Sequence, residues 1–180
     1  MPVAYIIAVG AYVLLDRIAF AMSGAPVGRQ RREWTWWAVT VPYYVCLVGP
    51  AVEIAAGIAT PSIHGVIVGG LCVTAAAVLR FAGVRALGPS FSAGVETHKD
   101  HMLVTTGIYS TIRHPLYLGL ALLFIGSPMI AGAHLSWIAT AAGLAGIVIR
   151  THAEEKWLAI HLPGYAEYMR HTKRFIPHVC

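Results

Sequence analysis

The residues best suited to chemistry cluster where a polar stretch runs into an apolar one, in Gly107-Ile-Tyr-Ser-Thr-Ile-Arg-His-Pro-Leu-Tyr-Leu-Gly119. Pro115 suits the first position of a helix, where its missing N–H is not needed. An apolar helix is therefore predicted from Leu116 to about Ala131. Arg113 and His114 then stand at its N-terminal mouth. Cations are unfavourable there, because the helix dipole already presents positive charge. A basic pair at that position makes sense if an anion joins it. The alternative is an interfacial pair touching lipid phosphates, and the residues alone leave both open. Further on, Arg150 and Glu154 are spaced i, i+4 and share one helical face. That spacing is commonly an ordinary surface ion pair. At the mouth of a membrane bundle, desolvation would make both groups more consequential.

The elements that must position these groups follow from composition. The chain has 180 residues, 57% of them hydrophobic and 12% charged. Soluble domains run nearer 45–50% apolar and about 25% charged. The sequence therefore reads as one all-α integral membrane domain. Residues 1–87 supply three N-terminal spans, and residues 88–177 supply the chemistry together with spans four and five. The excess of basic residues sets orientation in such a chain rather than marking a nucleic-acid partner. Cys46, Cys72 and Cys180 show no metal-ligand spacing, and Cys180, at the last position, cannot head a prenylation box. The first apolar run lacks a basic leader and a cleavage pattern, so it reads as a retained span.

A helix of about 20 apolar residues crosses the hydrocarbon core. Spans are predicted at about 3–22, 38–59, 65–87, 116–131 and 137–150. Asp16 and Arg17 interrupt the first and are expected to pair or snorkel. Glu53 lies within the second, and a structural hydrogen bond or a protonated acid is favoured there over catalysis. The basic loop carrying Arg29, Arg31 and Arg32, and the Trp34, Trp36 and Trp37 belt after it, mark the cytoplasmic interface. All 13 Lys and Arg fall on one side, which gives an outside N-terminus and a cytoplasmic C-terminus. The polar loop from Gly88 to Arg113 is long enough to be functional. The tail, Thr151 to Cys180, is divided by Pro163-Gly164 into two short helical pieces.

His101-Met-Leu-Val104, Gly107-Ile-Tyr109, Arg113-His-Pro-Leu-Tyr117-Leu-Gly119, Glu154-Glu155, Gly164-Tyr165, Tyr168 and Arg174-Phe-Ile-Pro177 occur in this order over roughly residues 85–177. This resembles the isoprenylcysteine carboxyl methyltransferase family, in its short prokaryotic-type form. The resemblance implies S-adenosylmethionine as methyl donor, held on the cytoplasmic side. It implies that His101, Met102, Leu103, Val104, Tyr109, His114, Pro115, Leu116 and Tyr117, with Arg113 at the corner, line the cofactor pocket. Glu154 would hold the cofactor's amino group or a ribose hydroxyl, and Arg150 would hold the acceptor carboxylate. Gly119 would let a ligand or a helix come close. The acceptor would be lipophilic and enter from the bilayer. Gly88-Pro-Ser-Phe91 departs from the family's usual Arg and Trp.

Three other readings compete. A phospholipid or other small-molecule N- or S-methyltransferase would not need Arg150 as a carboxylate clamp. A nicotinamide-dependent membrane reductase would bind a dinucleotide instead. A non-catalytic membrane partner would tolerate loss of His114 and Glu154. His64 and His134 read as solvated turn residues, Tyr165 and Tyr168 as packing, and Arg170, Lys173 and Arg174 chiefly as contacts to anionic lipid.

Overall fold

The computed structural model describes residues 2–23, 34–88 and 103–176. The expected basic loop with Arg29, Arg31 and Arg32, most of the 88–113 loop including His101 and Met102, and the end of the tail lie outside the described residues. Among the described residues the fold is all-helical. It comprises α1 (Pro2–Met22), α2 (Trp34–Ala55), α3 (Ile63–Leu87), α4 (Pro115–Ala131), α5 (Ser136–His161) and α6 (Tyr165–His171), with a 3₁₀ turn at Gly107–Ser110. α1, α2 and α3 are long and apolar enough to cross a membrane, and α4 is a shorter apolar helix.

The buried face of α1 is Tyr5, Val9, Tyr12, Asp16 and Ala19, a spacing of three and four that makes one stripe. Large aliphatics such as Ile6 and Ile7 point outward. Asp16 is accommodated by pairing: Arg17 Nη2 donates to it at 3.0 Å and Arg80 Nε, from α3, at 2.6 Å. The expected local pair is thus extended into a tie between α1 and α3. α3 and α4 approach at Gly69 and Gly126, where a Cβ on either would sit 2.7 Å from the other's carbonyl oxygen. Only glycine allows that contact. Gly119 likewise faces α3, where an added Cβ would sit 3.0 Å from Ala76 O, so the close approach there is to a helix.

Internal prolines organise the rest. Pro50 in α2 has no N–H for the carbonyl of Cys46, four residues back. Ser127 Oγ and Tyr5 Oη, from α4 and α1, donate to that oxygen instead. Pro128 in α4 frees the carbonyl of Phe124 in the same way, and Thr140 Oγ1 of α5 donates to it at 2.7 Å. Both of these backbone acceptors, freed by Pro50 and Pro128, thus enter interhelical bonds, as an apolar environment demands. Thr140→Val should therefore cost about 1 kcal/mol, read as a lower thermal midpoint in detergent. An unchanged midpoint would show that the carbonyl has found another donor.

Glu53 closes the far end of the bundle. It accepts from His134 N at 2.7 Å, Leu135 N at 3.0 Å, Ser136 N at 2.8 Å and Ser136 Oγ at 2.6 Å. These are the orphan donors at the start of α5, so the structural reading of Glu53 holds and the carboxylate is fully used. His134 adds Thr60 Oγ1 at 3.0 Å.

One element differs from expectation. Pro163-Gly164 divides the tail as expected, but the piece before it is not a separate short helix: α5 continues without a break to His161, and α6 follows among the described residues. Residues 151–161 contain Ala, Glu, Lys, Trp and Leu and no Gly or Pro, so nothing stops the helix where the apolar segment ends. Pro163-Gly164 then ends it, with Gly164 at φ +83°.

Candidate functional site

α4 and α5 bring Tyr117, Arg150 and Glu154 together. Arg150 Nε donates to Tyr117 Oη at 2.8 Å, and Tyr117 Oη donates to Glu154 Oε2 at 2.6 Å. The expected i, i+4 pair is thus bridged by a phenol from the neighbouring helix. Arg150 Nη1 donates to Thr35 Oγ1 on α2 at 3.2 Å. Arg150 is 4% exposed, so its charge is held in a largely dry setting. Glu154 is half-buried, and among the described residues its Oε1 receives no side-chain or backbone donor. Tyr109 and Tyr165 both lie within electrostatic reach of Glu154. Burial first, and that carboxylate second, push both phenols above the ordinary tyrosine value. A half-used carboxylate among phenol rings suits a ligand carrying a small cation.

A second cluster lies alongside. Ile112 and Lys173 form a parallel bridge, and the backbone N–H groups of Arg113 and His114 donate to Lys173 O at 2.8 Å and Arg174 O at 3.1 Å. Glu155, 3% exposed, sits beneath this pairing. Arg113 Nε and His114 Nε2 each reach its Oε1 at 3.0 Å. Arg174 reaches Oε1 through Nε at 3.2 Å and Oε2 through Nη2. The anion that the basic corner called for is therefore a side chain of the protein itself. Arg113 Nη1 also donates to the carbonyls of Met169 and Thr172, so this guanidinium ties the corner to the tail. The ring of His114 lies 5.7 Å from that of Tyr117 and 6.0 Å from that of Phe175, which links the two clusters.

Burial would raise the Glu155 carboxyl, but the hydrogen bonds from His114 and Arg174, the His114 charge and the Arg113 bond outweigh it and hold the group at about 2. A carboxyl depressed in the folded state stabilises above its unfolded value, about 4.3. That contribution is lost as pH falls from there through the folded value. The thermal midpoint of the wild type should therefore exceed that of Glu155→Gln at pH 7, with the gap closing between about pH 4.5 and 2. A gap independent of pH would contradict the assignment.

The other predicted residues separate by position. Pro115 and Leu116 fill the seam against Gly83 of α3. Leu103 packs near Gly164, and Tyr109 is buried with its carbonyl accepting from Tyr168 Oη at 2.6 Å. Val104 is partly buried, and His101 and Met102 are outside the described residues. Sequence reasoning gave Thr35 no role and Glu155 none beyond its place in the family motif, and it gave Arg174 only a lesser chance of shaping the site beside a lipid contact. For Glu155 a signal existed: adjacent helical residues diverge by about 100°, so two carboxylates in tandem cannot serve the same partner. Arg174 pairs with Glu155, whereas Arg170 stays on the exposed face of α6 with Glu167.

The sequence model of the isoprenylcysteine carboxyl methyltransferase family matches residues 68–160, just over half of the chain. Among curated relatives, the cobalt-zinc-cadmium resistance protein CzcN of Cupriavidus metallidurans is 40% identical over 86 residues, covering 46% of this chain and 39% of that protein. The protein-S-isoprenylcysteine O-methyltransferase of Schizosaccharomyces pombe is 42% identical over 60 residues, covering 32% of this chain and 25% of the relative. That of Saccharomyces cerevisiae is 41% identical over 66 residues, covering 36% and 28%. The chain thus spans well under half the length of these relatives. The matched residues hold α4, the basic corner and both carboxylates of α5, and on that match the chain belongs to the isoprenylcysteine carboxyl methyltransferase family.

Proposed function

We propose that this protein is an S-adenosylmethionine-dependent integral membrane methyltransferase that esterifies the carboxylate of a lipophilic, isoprenylcysteine-like acceptor. The observation that carries the reading is the Arg150–Tyr117–Glu154 chain. It sets a buried guanidinium and a half-used carboxylate one phenol apart. Family membership and the two relatives named for isoprenylcysteine O-methylation support the acceptor class.

The residues fit the donor. Among the described residues Glu154 Oε1 is open to an ammonium or a ribose hydroxyl, and Tyr109, Tyr117 and Tyr165 supply aromatic surface around it. When bound, S-adenosylmethionine supplies a sulfonium methyl that a carboxylate oxygen takes in one displacement, the sulfur keeping the electron pair of the broken bond. No proton moves, so this site needs no general base. The work left to the chain is placement. Arg150 orients the acceptor carboxylate with a planar fork of donors. Tyr117 holds Arg150 and Glu154 apart as well as together. It keeps the guanidinium from collapsing onto the donor's carboxylate partner. Burial of Arg150 and Tyr109 keeps water from the reacting pair, whose opposite charges cancel as the ester forms.

In the membrane, α1 to α4 and the apolar part of α5, residues 136–150, form five spans, with the N-terminus outside. The site then faces the cytoplasm, where the soluble donor enters, while the acceptor arrives from the bilayer. The test is transfer of labelled methyl from S-adenosylmethionine to N-acetyl-S-farnesylcysteine by the purified protein. Label released as methanol by mild alkali would mark a carboxyl ester. Alkali-stable label would move the reading to an amine or thiol acceptor.

A further inference from the structure

We propose that Glu155 is a positioning residue for the donor site, fastening the strap Thr172–Ile176 across the Arg113–His114 corner and so fixing the orientation of His114. This rests on the methyltransferase reading above. Two observations carry it. First, one buried carboxylate collects side chains from both sides of the pairing: Arg113 and His114 from the corner, Arg174 from the strap. The backbone contribution is two hydrogen bonds and one bridge. A two-stranded pairing that small does not hold by itself. The carboxylate joins the segments from beneath, beside the Arg113 Nη1 bonds to the Met169 and Thr172 carbonyls.

Second, His114 lies between the strap and the site. The ring of His114 meets both Phe175 of the strap and Tyr117 of the site in tilted contacts. Glu155 accepts the Nε2–H of His114 and thereby sets the ring's angle. Tyr117 in turn bonds Glu154. Undocking the strap removes Phe175 from the ring and Arg174 from the carboxylate together. Glu155 therefore acts on the donor through His114, whereas its neighbour Glu154 would touch the donor directly. The arrangement assigns different tasks to the two adjacent carboxylates of α5.

The experiment uses the full chain in detergent, with calorimetric titration of S-adenosylhomocysteine and hydrogen exchange at residues 112–114. Glu155→Gln should weaken binding at least tenfold and speed exchange of the Arg113 and His114 amides, with α4 exchange unchanged. Arg174→Gln, altered only at the strap end, should shift both readouts in the same direction, and Glu155→Asp should recover part of each. Faster exchange with unchanged affinity would overturn the link to the donor. Weaker affinity with unchanged exchange would overturn the role of the strap. Absence of binding by a folded wild type would overturn the methyltransferase reading, a pattern distinct from either.

Discussion

Arg150→Lys should lower methyl transfer to a carboxylate acceptor about 100-fold, while S-adenosylhomocysteine binding changes by less than about threefold. Lysine keeps the charge but loses the fork. In the protein, Nε of Arg150 is engaged with Tyr117 and Nη1 with Thr35, so the guanidinium spans three helices at once. An ammonium has no planar edge to make those bonds and still orient a carboxylate. The buried setting magnifies the loss, because water cannot replace the missing donors at a residue 4% exposed. Binding of the product-like donor is spared because Glu154 and the phenols around it stay in place. The measurement is the rate with saturating donor beside a titration with S-adenosylhomocysteine. An unchanged rate would mean that the acceptor is not a carboxylate, as an amine-methylating reading requires. Loss of binding and rate together would mean that Arg150 serves the donor instead.

The second large effect lies at the opposite end of the molecule. Glu53→Ala should cost on the order of 3 kcal/mol of stability, because it strands three backbone N–H groups and a hydroxyl at the start of α5. For a chain of this size that corresponds to a drop of roughly 6–12 °C in thermal midpoint. Glu53→Gln, which keeps one acceptor oxygen, should fall between. Ser136 and Arg150 are separated by 14 residues of one helix, about 21 Å, so donor affinity in the folded fraction should not change. A stable Glu53→Ala protein would show that water or lipid headgroups serve those donors. A stable variant with impaired donor binding would show coupling along α5.

How much of this was legible before the structure depends on the range of the interaction. The start of α4 at Pro115, the polar break after it and the helical character of the chain follow from local chemistry. So does the pairing of Asp16 with its neighbour Arg17, although the stronger tie to Arg80 spans 64 residues. For Glu53 the sequence favours a structural hydrogen bond or a protonated acid over catalysis, and the structure shows the hydrogen bonds. Its partners at 134–136 were not legible, because only the folded bundle brings that turn to the end of α2. The same holds for Thr140 and Ser127, which serve carbonyls freed by prolines on other helices. The prolines were visible and their compensators were not.

The site divides in the same way. Arg113 and His114 were noticed because two basic groups at a helix N-terminus demand an anion. The demand was legible, but Glu155 as the answer was not, since it lies 41 residues away. Arg150 and Glu154 were found from i, i+4 spacing, which is local. Tyr117, which joins them, was placed only through the family resemblance. The i, i+4 reading already carries the fifth helix past its apolar span to Glu154, but not to His161, so the first tail piece proves continuous with α5. Membrane boundaries and helix stop signals are different physical events, and residues 151–161 contain no stop signal.

The most direct measurement is calorimetric titration of the detergent-purified protein with S-adenosylhomocysteine, beside a His114→Ala/Glu154→Ala double variant. Micromolar binding by the wild type, lost in a double variant that remains folded, is the result predicted for a donor held between the corner and Glu154. No binding by a well-folded wild type would contradict it and turn attention to dinucleotides or protein partners.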